Sequence, residues 1–158
     1  MRRYRFRDEW VVQAPPAAVW KLISDPTTFP DWWPIYQEAR FLERRDGVGS
    51  RILLKFRVLL PYTLSIISTV EQMDEPVSLA GRVSGELEGT WSWTLTPVGA
   101  GTRVVFQEEV GTNKRVLDLL APVAVKLFEL NHRIAAQRGA RGMQDYFARQ
   151  RGGTPSTS

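Results

Sequence analysis

The sequence predicts an α+β domain: a curved seven-stranded antiparallel sheet, two short helices near the N-terminus, and one long C-terminal helix over a cavity. Three observations carry this expectation. Seven segments between residues 3 and 111 place apolar side chains at every second position, the period of a strand. A proline-fenced stretch, residues 14–34, interrupts them after the first segment. From about residue 115 to 150 the apolar spacing changes to that of a helix.

Taken in order, Arg3 to Gln13 alternates, with Tyr4, Phe6, Asp8, Trp10 and Val12 on one face and Arg5, Arg7 and Glu9 on the other. Pro15 and Pro16 end this strand and suit the first turn of a helix over Ala17 to Ser24. Asp25-Pro26 breaks that helix, and a second short helix or turn carries Thr27 to Trp33. The next strand runs from Gln37 to Arg45, followed by the turn Asp46-Gly47-Val48-Gly49. Ser50 to Leu60 points Ile52, Leu54, Phe56, Val58 and Leu60 inward, and Tyr62 to Gln72 follows Pro61. After the turn at Met73-Asp74-Glu75-Pro76, Val77 to Ser84 is a shorter strand. Leu87 to Pro97 shares one face among Trp91, Trp93 and Leu95, and Thr102 to Gly111 does so with Val104, Phe106, Glu108 and Val110. Short turns between successive strands favour an antiparallel meander.

The helical pattern from Arg115 to Gln150 gathers Phe128, Asn131, Ala135, Gly139, Gly142 and Tyr146 on one stripe, and Pro122 marks a kink or the start of its main body. Strands at ~4.8 Å spacing make a sheet far wider than one helix of ~10 Å diameter, so the sheet must curl to close a core. The small residues of the stripe suit either a cavity or close packing. Residues 1–150 read as a single domain and residues 151–158 as a disordered polar tail.

Composition limits the function. With 43% apolar and 11% aromatic residues the chain is not generally disordered. It has no cysteine, hence neither disulfides nor thiolate chemistry, which suits a cytoplasmic location. The basic N-terminus lacks the apolar run of a signal peptide, and no segment approaches the ~20 apolar residues of a transmembrane span. A net charge of +4, spread over the chain, reads as a solvated surface and not as a nucleic-acid interface.

The segment APPAAVWKLISDPTTFPDWWP, the strand pair around GTWSWTLTPVGAGTRVVFQEEV and the long terminal helix together resemble the START-like (SRPBCC) helix-grip superfamily. The likeness is greatest to its polyketide cyclase/dehydrase branch and covers about Tyr4 to Gln150. It implies a deep apolar pocket between sheet and terminal helix, and it brings no universal catalytic motif.

Candidate site residues follow from the inward faces. Trp91, Trp93, Phe106, Phe56, Tyr62 and Phe128 are expected to line the cavity or fill a solid core, with Trp32, Trp33 and Tyr36 at its mouth and at least one of the two indoles plain core. Glu108, on the strand face of Val104 and Phe106, reads either as a solvent-exposed carboxylate near a strand end or as a pocket carboxylate. Asn131 suits a ligand carbonyl or the cap of a broken strand. His132, the only histidine, lies at the stripe edge and reads as a partly exposed surface residue, with a pocket acid or base as its alternative. Asp8 reads as an end-of-strand carboxylate paired with an arginine, with a pocket role as its alternative. A single histidine disfavours a metal site, and no phosphate loop, dinucleotide fingerprint or nucleophile elbow is present, so no metal or other cofactor is expected. The expected function is binding of a hydrophobic small molecule: a lipid, a polyketide-like or an aromatic compound. One alternative is an aromatase/cyclase using Glu108, Asn131 and His132. Another is a protein-interaction module docking through Lys126, Arg133, Arg138, Arg141 and Arg149.

Overall fold

A computed structural model of the chain describes residues 3–59, 63–112 and 121–152. Its elements are β1 (Arg3–Val12), α1 (Pro16–Ile23), a 3-10 turn (Pro26–Thr28), α2 (Phe29–Trp32), β2 (Tyr36–Glu43), β3 (Arg51–Phe56), β4 (Leu64–Asp74), β5 (Ser78–Gly85), β6 (Leu87–Val98), β7 (Gly101–Thr112) and α3 (Ala121–Gly152). The strands form one antiparallel sheet in the order β1-β7-β6-β5-β4-β3-β2. Six consecutive strands thus make the expected meander, and the first strand returns to pair with the last.

Proline and a carboxylate shape the crossing between the two edges of the sheet. Pro15 and Pro16 occupy the N-cap and first turn of α1, where a missing N–H costs nothing. Asp25 accepts a hydrogen bond from the Thr27 N–H and caps the following turn. The Trp32 indole donates to Thr28 Oγ1 at 3.2 Å. This segment packs α1 on β6 and β7 and α2 on β2 and α3, closing one end of the curled sheet.

Three elements depart from the sequence expectation. β3 ends at Phe56, not Leu60, because the Leu59 N–H leaves the sheet and donates to Asn131 Oδ1 on α3 at 2.8 Å. The helix continues to Gly152, so Arg151 and Gly152 are helical and not part of a tail. Expectations for residues 60–62, 113–120 and 153–158, Tyr62 included, lie outside the described residues. The buried line of the C-terminal half of α3 runs through Ala136, Gly139, Met143 and Phe147, about one position round from the expected stripe. Met143 is fully buried and takes the Trp10 indole N–H on its sulfur at 3.4 Å.

The small residues of α3 serve close packing against α2. A Cβ at Gly142 would run into the Trp32 carbonyl oxygen, and one at Gly139 would lie 2.6 Å from Trp33 Cε2. The helix is therefore seated firmly at this end. Its leading half lies over the sheet, where Phe128 packs on Tyr4 and His132 on Phe6.

Candidate functional site

Register places the site. On β1 and β7, Phe6 lies opposite Glu108 and Asp8 opposite Phe106. On β6 and β7, Trp91 lies opposite Glu108 and Trp93 opposite Phe106. Alternation turns all six side chains to the concave face, so Glu108 stands between two aromatic neighbours with Asp8 diagonal to it. α3 crosses above and lowers His132 between the two carboxylates.

His132 Nε2 faces Asp8 Oδ2 at 2.8 Å and Nδ1 faces Glu108 Oε1 at 3.1 Å. An ionised carboxylate only accepts, so both ring nitrogens must carry protons and the group is an imidazolium. The Phe6 ring stacks on the imidazole, centroids 3.6 Å apart and planes within 8°. Burial is the largest single influence on this histidine and works against its charge. Hydrogen bonds to Asp8 and then Glu108, with the negative charges of both, outweigh it, and its pKa is pushed up to about 9. Two expectations are corrected here. His132 is not a surface residue: its side chain is only 12% exposed. Asp8 pairs with this histidine and not with an arginine, because the β1–β7 register turns it inward, away from Arg5 and Arg7. The two carboxylates sit on opposite ring nitrogens, and among the described residues no such group converges as metal ligands would.

An apolar lobe of about 70 Å³ lies between the sheet and α3, and an adjoining one of about 60 Å³ lies between the sheet and the segment from Ile23 to Tyr36. Trp33, Tyr36, Phe106 and Glu108 line both. The first lobe adds Phe56, Phe128, Asn131 and His132, and the second adds Trp91 and Trp93. Trp33 is the hub: its ring lies 5.1 Å from Tyr36, 6.1 Å from Trp93 and 6.2 Å from Phe106, while its indole donates to the Ala135 carbonyl of α3 at 2.8 Å. Trp32 lines neither lobe. It is 2% exposed and packs behind Trp33 under α3, because adjacent positions in a helical turn point about 100° apart. Asn131 is engaged as the cap of the broken strand β3.

The polar groups at the lobes are few. Burial, and then the charge on Glu108, push the Tyr36 phenol far above its ordinary value, so it keeps its proton. Ser68 is buried at the second lobe. The Trp91 indole N–H is buried without a hydrogen-bond partner. No arginine or lysine lines either lobe among the described residues. Sequence reasoning passed over Phe6, whose stack on His132 needed the β1–β7 register to be known. The signal available was its place beside Asp8 on an otherwise aromatic strand face.

Comparison with known proteins agrees with this geometry. A family model described as polyketide cyclase/dehydrase and lipid transport matches residues 3–146. The Zhui aromatase/cyclase from Streptomyces superposes with a TM-score of 0.81 at 17% identity, over 94% of this chain and 96% of that one. A Thermus thermophilus protein superposes with a TM-score of 0.74 at 20% identity, over 92% of this chain and 99% of that one. A START superfamily protein from Mycobacterium smegmatis does so with 0.62 at 16%, over 82% of this chain and 96% of that one. At these identities the structures establish the helix-grip fold and nothing finer. Comparison with curated protein sequences gave no match. No helix among the described residues is long and apolar enough to cross a membrane. With the family model spanning nearly its whole length, the chain belongs to the polyketide cyclase/dehydrase and lipid transport family.

Proposed function

We propose that this protein binds a hydrophobic small molecule, a lipid, a polyketide-like or an aromatic compound, between its sheet and α3. The observation that carries the reading is the pair of adjoining lobes walled by Trp33, Tyr36, Trp93 and Phe106, with few polar groups to orient a guest. In the closed form each lobe holds less than half of the ~150 Å³ that admits benzene in a protein interior. A larger ligand is therefore seated by lifting the leading half of α3, whose polar ties to the sheet and its flanking segment are the His132 contacts and the Asn131–Leu59 bond. Dye displacement and native mass spectrometry against a lipid and polyketide panel test the reading. Specific binding of at least one class is expected. Absence of binding, together with a crystal structure whose lobes stay closed in the presence of the panel, overturns it.

A second reading, an aromatase/cyclase-type enzyme, draws on the convergence of Glu108 and His132 at 3.1 Å inside the cavity. Both protons of His132 are already donated, so Glu108 would be the group to accept a proton from a bound ketone, with Tyr36 donating to its oxygen. Cyclisation of a poly-ketone that is lost in Glu108→Gln supports this reading, and unchanged spontaneous product ratios refute it.

A further inference from the structure

The charges around the lobes are unevenly matched. Glu108 lines both, His132 lines one, and Asp8 backs His132 from the other side, so two carboxylates face one imidazolium. Since no arginine or lysine among the described residues lines the lobes, a ligand carboxylate would meet unbalanced negative charge in a partly desolvated site. A neutral ligand meets the opposite situation. Glu108 commits one oxygen to His132, and a carboxylate offers about four acceptor positions in all. Directly across the strand pair, the Trp91 indole N–H is an orphaned buried donor.

Its position is built in. Gly81 faces Trp91 from β5, and a Cβ there would run into the Thr69 carbonyl oxygen and lie 2.6 Å from Trp91 Cζ2, so both the neighbouring strand and the indole need the bare backbone at this point. An unsatisfied buried donor carries a desolvation cost that a ligand acceptor would recover. A group that accepts from Trp91 and donates to Glu108 would satisfy both, and a hydroxyl does each with one atom.

We propose that the cavity selects an uncharged aromatic or polycyclic ligand bearing a hydroxyl, and turns away carboxylic acids on the same skeleton. Glu108 accepts the hydroxyl hydrogen while Trp91 Nε1 donates to its oxygen. This rests on the reading of the lobes as a ligand site, and the test separates the two. Fluorine NMR titration of the full chain with fluorobenzene, para-fluorophenol and para-fluorobenzoate compares one ring with three substituents. At neutral pH the phenol is expected to bind about tenfold tighter than fluorobenzene, and the benzoate more weakly than either. Trp91→Phe should cancel the advantage of the phenol, read as the ratio of phenol to fluorobenzene affinity within that variant. Glu108→Gln should weaken the phenol and strengthen the benzoate, which keeps the test available if the tryptophan variant fails to fold. A benzoate that binds as well as the phenol, or a phenol that gains nothing over fluorobenzene, overturns the selectivity while leaving a ligand site. If none of the three binds, the selectivity is overturned, and the ligand site itself stands or falls on the lipid and polyketide panel.

Discussion

Raising the pH from about 6 to about 10 strips the proton that lets His132 donate to both Asp8 and Glu108. In the unfolded chain this imidazole has an ordinary pKa near 6.5, and in the folded protein it is pushed up to about 9. A raised folded-state pKa means stabilisation that is complete below about 6.5 and is lost as the pH climbs through about 9. At about 1.4 kcal/mol per pKa unit, the difference is on the order of 3 kcal/mol. The side chain is only 12% exposed, so solvent screening removes little of it. The chain has one histidine and no cysteine, so up to about pH 9 only the α-amino group ordinarily titrates beside it; tyrosines and lysines enter near pH 10, which the His132→Gln comparison subtracts. Urea unfolding followed by tryptophan fluorescence should show the midpoint falling by roughly 1–2 M across the window. His132→Gln should flatten that dependence, and the imidazole resonances of the native chain should titrate well above pH 7. A midpoint independent of pH, or a slope that survives in His132→Gln, would refute the doubly hydrogen-bonded imidazolium.

Other outcomes follow from the packing. Asn131→Ala leaves the Leu59 N–H without an acceptor and should cost about 1–3 kcal/mol, with faster hydrogen exchange at Leu59 and at β3 as its signature. Gly142→Ala forces a methyl into the Trp32 carbonyl and should lower the melting temperature by several degrees, at ~2–4 °C per kcal/mol. Gly139→Ala presses a methyl on the buried Trp33 indole, which is tied to the Ala135 carbonyl, and should also be destabilising. Trp33→Phe removes the bond to the Ala135 carbonyl and part of the wall common to both lobes, so it should destabilise the fold while enlarging the cavity. A crystal structure of that variant with unchanged cavity volume would contradict the assigned position of Trp33.

The element order was legible because alternation is a local property: Trp91, Trp93, Phe106 and Glu108 face inward as their spacing requires. What lay beyond reach was set by partners distant in the chain. His132 sits one residue off the apolar stripe, where a helix wheel leaves its exposure open, and its burial is decided by Asp8, 124 residues earlier. Asp8 did carry a warning, since a carboxylate on the face of Tyr4, Phe6 and Trp10 must find a partner or pay for desolvation. Naming that partner required the β1–β7 register. Trp32 and Trp33 show the same limit at shorter range. Proline spacing brings both indoles to one corner, but only the fit of α3 decides which reaches the lobes.

The pairing of β1 with β7 bears on how the molecule comes into being. Tyr4 meets Val110, so the first strand to be synthesised waits for nearly the last before its edge is paired. Until then its aromatic face is unpartnered on a growing chain, and the loop to be closed spans most of the sequence. Contacts so far apart make folding slow relative to a helical protein of the same size. The floor under Glu108 and the anchor for His132 both depend on this long-range pairing. A nascent or truncated chain that stops short of β7 would therefore hold a partial meander, and no binding site at all.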